Sequence, residues 1–257
     1  MEVLILALVA FVASLLTFFS GFGLGTILTP VFMVFFPVDL SIALTGIVHF
    51  FNNIFKLVLV GRSANRAVVI RFGLPAVIAA LLGAWLMLQL SGLQPFWSYT
   101  IWGKQFELYP IKFTVALLLM TFALLELSPW VGRLRFDRSR LPLGGFLSGF
   151  FGGLSGNQGA LRSAFLINAG LSKEAFVGTA VVVSTFVDLT RLGVYATRFA
   201  HTGLGAQVGV LSVVISAAIF GAWIGNRMLK KVTMRFIQLT VAIMLIIISI
   251  GLGAGWI

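Results

Sequence analysis

Hydrophobic and polar positions along the chain fall into long apolar runs with polar or basic ends, at 40–60, 71–90, 111–127, 175–196, 205–226 and 233–257. A hydrocarbon core about 30 Å thick takes about 20 apolar residues of helix, so each run is long enough, or nearly so, to cross a bilayer. Two further regions, 3–36 and 141–170, are equally apolar but interrupted, the first by Gly21-Phe-Gly-Leu-Gly25 and the second by Gly149-Phe-Phe-Gly-Gly-Leu-Ser-Gly-Asn-Gln-Gly159. Each reads as a hairpin of short helices around a break. The second members, 26–36 and 160–169, rise only about 15 Å as helix and reach no further than the midplane. Lipid cannot satisfy free backbone groups, so such breaks are tolerated where protein or a watery cavity surrounds them. The competing reading is that the glycines merely let helices pack closely. Recurrence of the breaks at matching places in the two halves favours the first.

Composition agrees with this pattern. Hydrophobic residues make up 60% of the chain and charged ones 10%, with a mean hydropathy of +1.08. That predicts an all-α integral membrane protein with the bilayer as its main partner and no sizeable domain outside it. The absence of cysteine excludes disulfides, thiolate metal sites and cysteine nucleophiles. The N-terminus has no basic segment before its apolar run and reads as retained. The net charge of +11 comes from bases that punctuate apolar runs, so it reads as an orientation signal, and no nucleic-acid partner is expected. If each broken segment returns to its starting side, Arg62, Arg66, Arg71, Arg133, Arg135, Arg138, Arg140, Lys173, Arg227, Lys230, Lys231 and Arg235 share one face. Lys104, Lys112 and Arg198 fall on the other. Single crossings would scatter the bases over both. The basic face is then cytoplasmic, and both termini are extracytoplasmic. The loop 91–110, with Trp97, Tyr99, Trp102 and Tyr109, lies outside at the interface.

Setting Gly23 on Gly156 and Pro30 on Ser163 puts Val38-Asp-Leu-Ser-Ile-Ala43 against Leu171-Ser-Lys-Glu-Ala-Phe176 at one constant offset. The chain thus divides into a first repeat at 1–128, a basic cytoplasmic linker at 129–140 and a second repeat at 141–257, each a hairpin plus three helices. Three crossings are odd, so the hairpins enter from opposite faces and the repeats are inverted. Inverted repeats with paired broken helices are a recurrent transporter plan whose site lies near the midplane. Architecture alone does not name a substrate.

At the glycine breaks the sequence resembles the TauE/SafE family of sulfite and organosulfur anion exporters, whose repeat looks like Gly-x-Gly-Gly-Gly followed five residues later by Pro. Gly21-Phe-Gly-Leu-Gly25-Thr-Ile-Leu-Thr-Pro30 fits, with Leu24 in place of a glycine. The second copy, Gly153-Leu-Ser-Gly-Asn-Gln-Gly-Ala-Leu-Arg-Ser163, keeps Gly156 and Gly159 but carries Asn157, Gln158 and Ser163 at departures. The resemblance covers the whole chain. It implies a small sulfur oxyanion or organosulfonate as substrate, and export as its direction.

A charge at the centre of a spanning helix costs about 2.5–3.5 kcal/mol and needs a partner or a purpose. The helix after the first hairpin carries His49-Phe-Phe-Asn-Asn-Ile-Phe-Lys56, and its counterpart carries Ser184-Thr-Phe-Val-Asp-Leu-Thr-Arg191. Asn53 and Lys56 share a helical face, as do Asp188 and Arg191, and His49 and Asn52 face the same way as the former pair. Lys56 and Arg191 either compensate an anion or snorkel to nearby helix ends. Asp188 is a proton carrier or a structural partner of Arg191, and His49 a proton carrier or a hydrogen-bonded helix residue. Arg162 lies in the first turn of a half-helix, where a base opposes the dipole. Either an anion compensates it, or it pairs with Asp188 or Glu126; Glu126 itself reads as interfacial. Asn157, Gln158, Gly159 and Arg162, with the free N–H groups of that helix start, form an oxyanion cradle. Gly23, Gly25 and Thr26 form its counterpart.

No metal-ligand spacing, no nucleophile with its base and no nucleotide motif is present, so neither a cofactor nor catalysis is expected. The expectation is a secondary transporter for a small anion, driven by protons or the membrane potential, in which the inverted halves rock around the breaks. An anion channel is the rival, followed by a membrane scaffold or enzyme. Oligomeric state is open.

Overall fold

A computed structural model describes residues 1–18, 23–128, 136–167, 169–199, 204–228 and 234–256. Gly21, the linker bases Arg133 and Arg135, and Lys230 and Lys231 lie outside the described residues, as do the side chains of Glu126, Arg198 and Arg235. The helices are α1 (Glu2–Thr17), α2 (Leu24–Phe35), α3 (Val38–Val60), α4 (Arg66–Ser91), α5 (Pro110–Leu127), α6 (Leu141–Ser155), α7 (Gly159–Leu166), α8 (Lys173–Phe199), α9 (Val208–Met228) and α10 (Met234–Gly253). By length and composition, the stretches Val38–Ser63, Arg66–Ser91, Lys173–Ala196 and Gly205–Arg227 suffice to cross a membrane; Glu2–Thr17, Leu24–Phe35, Pro110–Leu125 and Ala242–Gly253 are shorter apolar helices.

Three features depart most from the sequence pattern. Helix α4 starts at Arg66 rather than at 71, because the Asn65 side chain accepts from Val68 N (3.1 Å) and caps it. The second break is narrower than the glycine run, for α6 continues through Gly149, Gly152 and Gly153 to Ser155. It ends on Gly156, whose φ of +81° is left-handed. The loop 91–110 contains a β-hairpin, β1 (Trp97–Ile101) and β2 (Lys104–Leu108). Its two-residue turn puts both Trp102 (φ 50°) and Gly103 (φ 74°) at positive φ, as a type I′ turn requires. Tyr99 donates to the Ala254 carbonyl, tying the hairpin to the end of α10. Tyr109 donates to Glu107 (2.8 Å), and this carboxylate holds the phenol above its ordinary pKa.

The direction of each long helix follows from its contacts. Ser14 bonds Asn52 (3.1 Å) and Lys56 Nζ lies 5.3 Å from the Phe18 ring, so α1 and α3 run together. A Cβ at Gly221 would strike the Phe11 carbonyl, and one at Gly225 would lie 3.0 Å from that of Leu15, so α9 runs with them. Gly145, Gly149 and Gly153 meet the carbonyls of Phe72, Ala76 and Ala80 in the same way, making α6 parallel to α4. Asn65 N reaches Thr179 and Gly73 faces Val183, so α8 shares that direction. Between the two groups α3 and α8 are antiparallel, with Gly178 against Val60, His49 against Asp188 and Gly46 against Leu192. Helices α1 and α6 therefore start at opposite ends of the bundle. The α6–α7 hairpin leaves at the end where it enters, since Phe136 stacks on Phe165 (4.1 Å) and Gly170 lies beside Arg138. Helices α5 and α10 pack on each other.

Apolar side chains face outward, among them Leu8 (61% exposed), Leu74 (61%), Leu117 (59%) and Ile247 (65%), while Lys56, Arg162, Asp188 and Arg191 are buried. Water does not select such an arrangement; hydrocarbon does. The described bases Arg62, Arg66, Arg71, Arg138, Arg140, Lys173 and Arg227 lie at or near the end where α3 and α9 finish and α4, α6 and α8 begin. This is the basic end. Lys104 and Lys112 lie toward the other.

Candidate functional site

Helix α2 runs antiparallel to α3, setting Gly23 beside His49 and Gly25 beside Thr45. Helix α7 does the same against α8, with Gln158 at the level of Asp188 and Arg162 donating to Ser184. Each break is thus delivered to the middle of the helix that follows it. The breaks touch: a Cβ at Gly25 would lie 3.0 Å from the Gly156 carbonyl oxygen.

Beside this contact is a cavity of about 370 Å³, its open mouth included. Thr17 and Phe18 of α1, Gly23 and Leu24, His49, Asn53 and Lys56 of α3, Arg162 of α7 and Ser184 of α8 line it, with an apolar wall of Phe176, Val177, Ala180 and Val181. The wall belongs to the first turns of α8 and Lys56 to the last turns of α3, so the cavity extends toward the basic end.

Lys56 does not snorkel. It is 5% exposed, and its ammonium faces the Phe18 ring. The Asn52 amide is satisfied with its oxygen accepting from Lys56 Nζ (3.2 Å) and its nitrogen donating to the Ala218 carbonyl (3.2 Å) and Ser14 Oγ (3.1 Å). Arg191 is fully buried, so it does not snorkel either. Its Nε donates to Asp188 Oδ1 at 3.0 Å, and Nη2 lies 2.8 Å from the same oxygen as an ion pair. The other oxygen, Oδ2, takes Asn53 Nδ2 (2.8 Å) and His49 Nδ1 (2.5 Å). Gln158 Nε2 approaches Oδ1 at 3.5 Å. One carboxylate oxygen therefore faces α3 and the other faces α8 and the second break. The contact between Nδ1 and Oδ2 needs one proton, and it leaves His49 Nε2 turned to Gly23 at the cavity. Of the partners the sequence offered Asp188, Arg191 is present; His49, which it did not pair with Asp188, also bonds it, and Arg162 donates to Ser184.

Gly159 begins α7 behind Gln158, whose carbonyl accepts from Arg162 N (3.0 Å) and Ser148 Oγ (3.1 Å). Thr26 is buried, its N–H donating to Gly23 O (3.0 Å). Asn157 is 4% exposed with both side-chain polar atoms unpaired among the described residues, as are Gln158 Oε1 and the hydroxyls of Thr29 and Thr45. A buried polar group left unpaired costs about 1–3 kcal/mol. Ser184 stands four residues before Asp188 as His49 stands four before Asn53, a signal that could have marked it. Phe18 had none, since its neighbours come from other helices, while Thr29 and Thr45 stood inside motif segments of the two-repeat pattern without being singled out.

A helical bundle with apolar side chains outside and a charged, partly open cavity inside is a multi-pass membrane protein built to accommodate a polar solute. The model of the sulfite exporter TauE/SafE family matches residues 6–252, and the chain belongs to this family. Its members are membrane transporters of sulfur anions broadly, rather than enzymes. No curated protein and no solved structure matches the chain.

Proposed function

We propose that the protein is a secondary transporter moving sulfite, or another sulfur oxyanion or organosulfonate, across the cytoplasmic membrane by alternating access at the paired breaks. The observation that carries this reading is the charge of the buried cluster. Lys56 and Arg162 line the cavity, and Asp188 and Arg191 stand behind its His49 and Asn53, three cations to one carboxylate among the described residues. A cluster so charged inside hydrocarbon calls for an anion. Lys56 and Arg162 bind it from two helices, with Ser184, Asn53 and the N–H groups at Gly23, Gly25, Gln158 and Gly159 as neutral donors. His49 and Asp188 share a proton at the cavity floor and are the coupling pair.

The inverted-repeat reading is supported by the packing, in which exchanging the halves maps α4 on α6 onto α9 on α1 and leaves α3 on α8 as its own image. Gathering of bases at one end supports a cytoplasmic basic end, inward opening of the cavity and extracytoplasmic termini. A carrier is preferred over a channel because the cavity lining stops at His49, Asn53 and Gly23, while Gly25 and Gly156 are in contact beyond.

Counterflow in proteoliposomes is the test. Uptake of labelled sulfite accelerated by unlabelled sulfite on the far side is expected. Ohmic conductance without acceleration replaces the carrier by a channel. Unchanged flux after Lys56→Met and Arg162→Met removes the cluster from the path.

A further inference from the structure

On the far side of the His49–Asp188 pair, away from the basic end, lies a second group of buried polar side chains. Thr29 and Thr45 are fully buried, and neither hydroxyl has a partner among the described residues. A threonine in a helix ordinarily gives its hydroxyl to the carbonyl one turn back, as Thr17 and Thr185 do here. Asn157 adds an unpaired amide. These groups gather around the touching breaks: a Cβ at Gly156 would lie 3.4 Å from Thr29 Oγ1 and 2.8 Å from Arg191 Nη1, and one at Gly25 would lie 3.7 Å from Thr45 Cγ2. Thr45 is one turn of α3, about 6 Å, further from the basic end than His49.

We propose that Thr29, Thr45, Asn157 and Arg191 form a second anion position, filled once the substrate has passed the His49–Asp188 pair. The proposal rests on the transport reading above and extends it to a path of two stations. An anion leaving Lys56 and Arg162 for the far end must meet donors before it meets water, and two hydroxyls, an amide and a guanidinium supply them. The ligand class is a small oxyanion, since its several acceptor atoms can engage donors from α2, α3, α8 and the second break together. One cation in place of two makes this station weaker than the first, which suits a release position. The hydroxyls are unpaired in this conformation because the group that pairs them arrives in the other.

The test is the isosteric variant Thr29→Val/Thr45→Val in proteoliposomes, with sulfite as the probe. Sulfite-induced thermal stabilisation is expected to stay at the wild-type level while the flux falls about tenfold, the signature of a contact made during passage and not in the resting complex. Thr29→Ser/Thr45→Ser is expected to restore flux, which a purely steric role for the methyl groups would not. Wild-type flux in the valine variant overturns the second station. So does a loss of stabilisation equal to that of Lys56→Met, which would make the hydroxyls part of the first. A wild-type protein that neither binds nor moves sulfite, sulfate or thiosulfate overturns the transport reading and the second station with it.

Discussion

Removing the Asp188 carboxylate tests the electrostatic core of the site. Both of its oxygens are engaged: Oδ1 accepts from Arg191 Nε at 3.0 Å with Nη2 2.8 Å away as an ion pair, and Oδ2 takes His49 at 2.5 Å and Asn53 at 2.8 Å. Asp188→Leu leaves the Arg191 guanidinium, itself 0% exposed, without its counter-charge. Breaking one side of a buried pair costs about 3–5 kcal/mol. Arg191→Met is milder, because the carboxylate keeps His49, Asn53 and Gln158, and the loss is that of a charged hydrogen bond, about 1.5–3 kcal/mol. The double variant removes both charges, so its cost is expected to fall short of the sum by a coupling of about 0.5–3 kcal/mol. Unfolding by SDS titration of the detergent-purified protein, followed by tryptophan fluorescence, measures all three. The pair is dry, so the values should not move when salt shortens the screening length to about 3 Å at 1 M. A cost for Asp188→Leu below about 1 kcal/mol, the range of an exposed ion pair, refutes the reasoning, and so does simple additivity.

Three further outcomes follow from the packing and topology. Gly149→Ala drives a Cβ into the Ala76 carbonyl and is expected to cost about 1–3 kcal/mol in the same titration, whereas Gly193→Ala, with nothing within 4 Å, should be neutral or slightly stabilising. Gly156→Ala combines a left-handed φ of +81° with an approach to Arg191 Nη1, so it should lose about 1–2 kcal/mol from the backbone alone. The chain has no cysteine, so Ser139→Cys and Trp102→Cys give clean topology probes. An impermeant maleimide applied to intact cells should label the second and spare the first, and the reverse would invert the assignment of ends.

The membrane class and most helices were legible because hydrocarbon demands long apolar runs whatever the tertiary structure. The helix start at Arg66 was not, since a capping asparagine outweighs two arginines that hydropathy counts as flank. Glycine was ambiguous for a physical reason. Gly149 and Gly153 admit the backbone of α4, while Gly156 ends α6 in a conformation that glycine alone adopts freely, and only the neighbours distinguish these uses. At the site, the spacing of Asp188 and Arg191 announced their pairing. Their depth was not announced, because a lysine or arginine near a helix end snorkels or turns inward according to what other helices offer. Lys56 turns inward to Asn52 and Phe18.

For the alternating-access mechanism proposed above, the same contacts bear on which parts would move. Rocking of one sequence half against the other would require α1 to slide on α9 and α4 on α6, where glycines bring backbone onto backbone along successive turns, whereas among the described residues α8 meets α3 in this way only at Gly178, near its start. Such surfaces are bistable at best and resist sliding. Helices α1 and α9 also hold α3, through Ser14, Asn52 and Ala218, while α4 and α6 hold α8, through Asn65–Thr179 and Gly153–Tyr195. The bodies that remain intact are then α1, α2, α3 and α9 on one side and α4, α6, α7 and α8 on the other, each drawing one helix from the opposite half. They meet where His49 faces Asp188 and Gly25 faces Gly156, the contacts that close the cavity. Bifunctional thiol cross-linking distinguishes the alternatives. In Phe11→Cys/Phe220→Cys, replacing rings 5.7 Å apart, the bridge joins α1 to α9 and should leave sulfite flux intact. In Gly46→Cys/Leu192→Cys, the bridge spans α3 and α8 and should stop it, with flux before cross-linking as the control in both. Arrest by the first bridge and tolerance of the second would make the sequence halves the moving bodies.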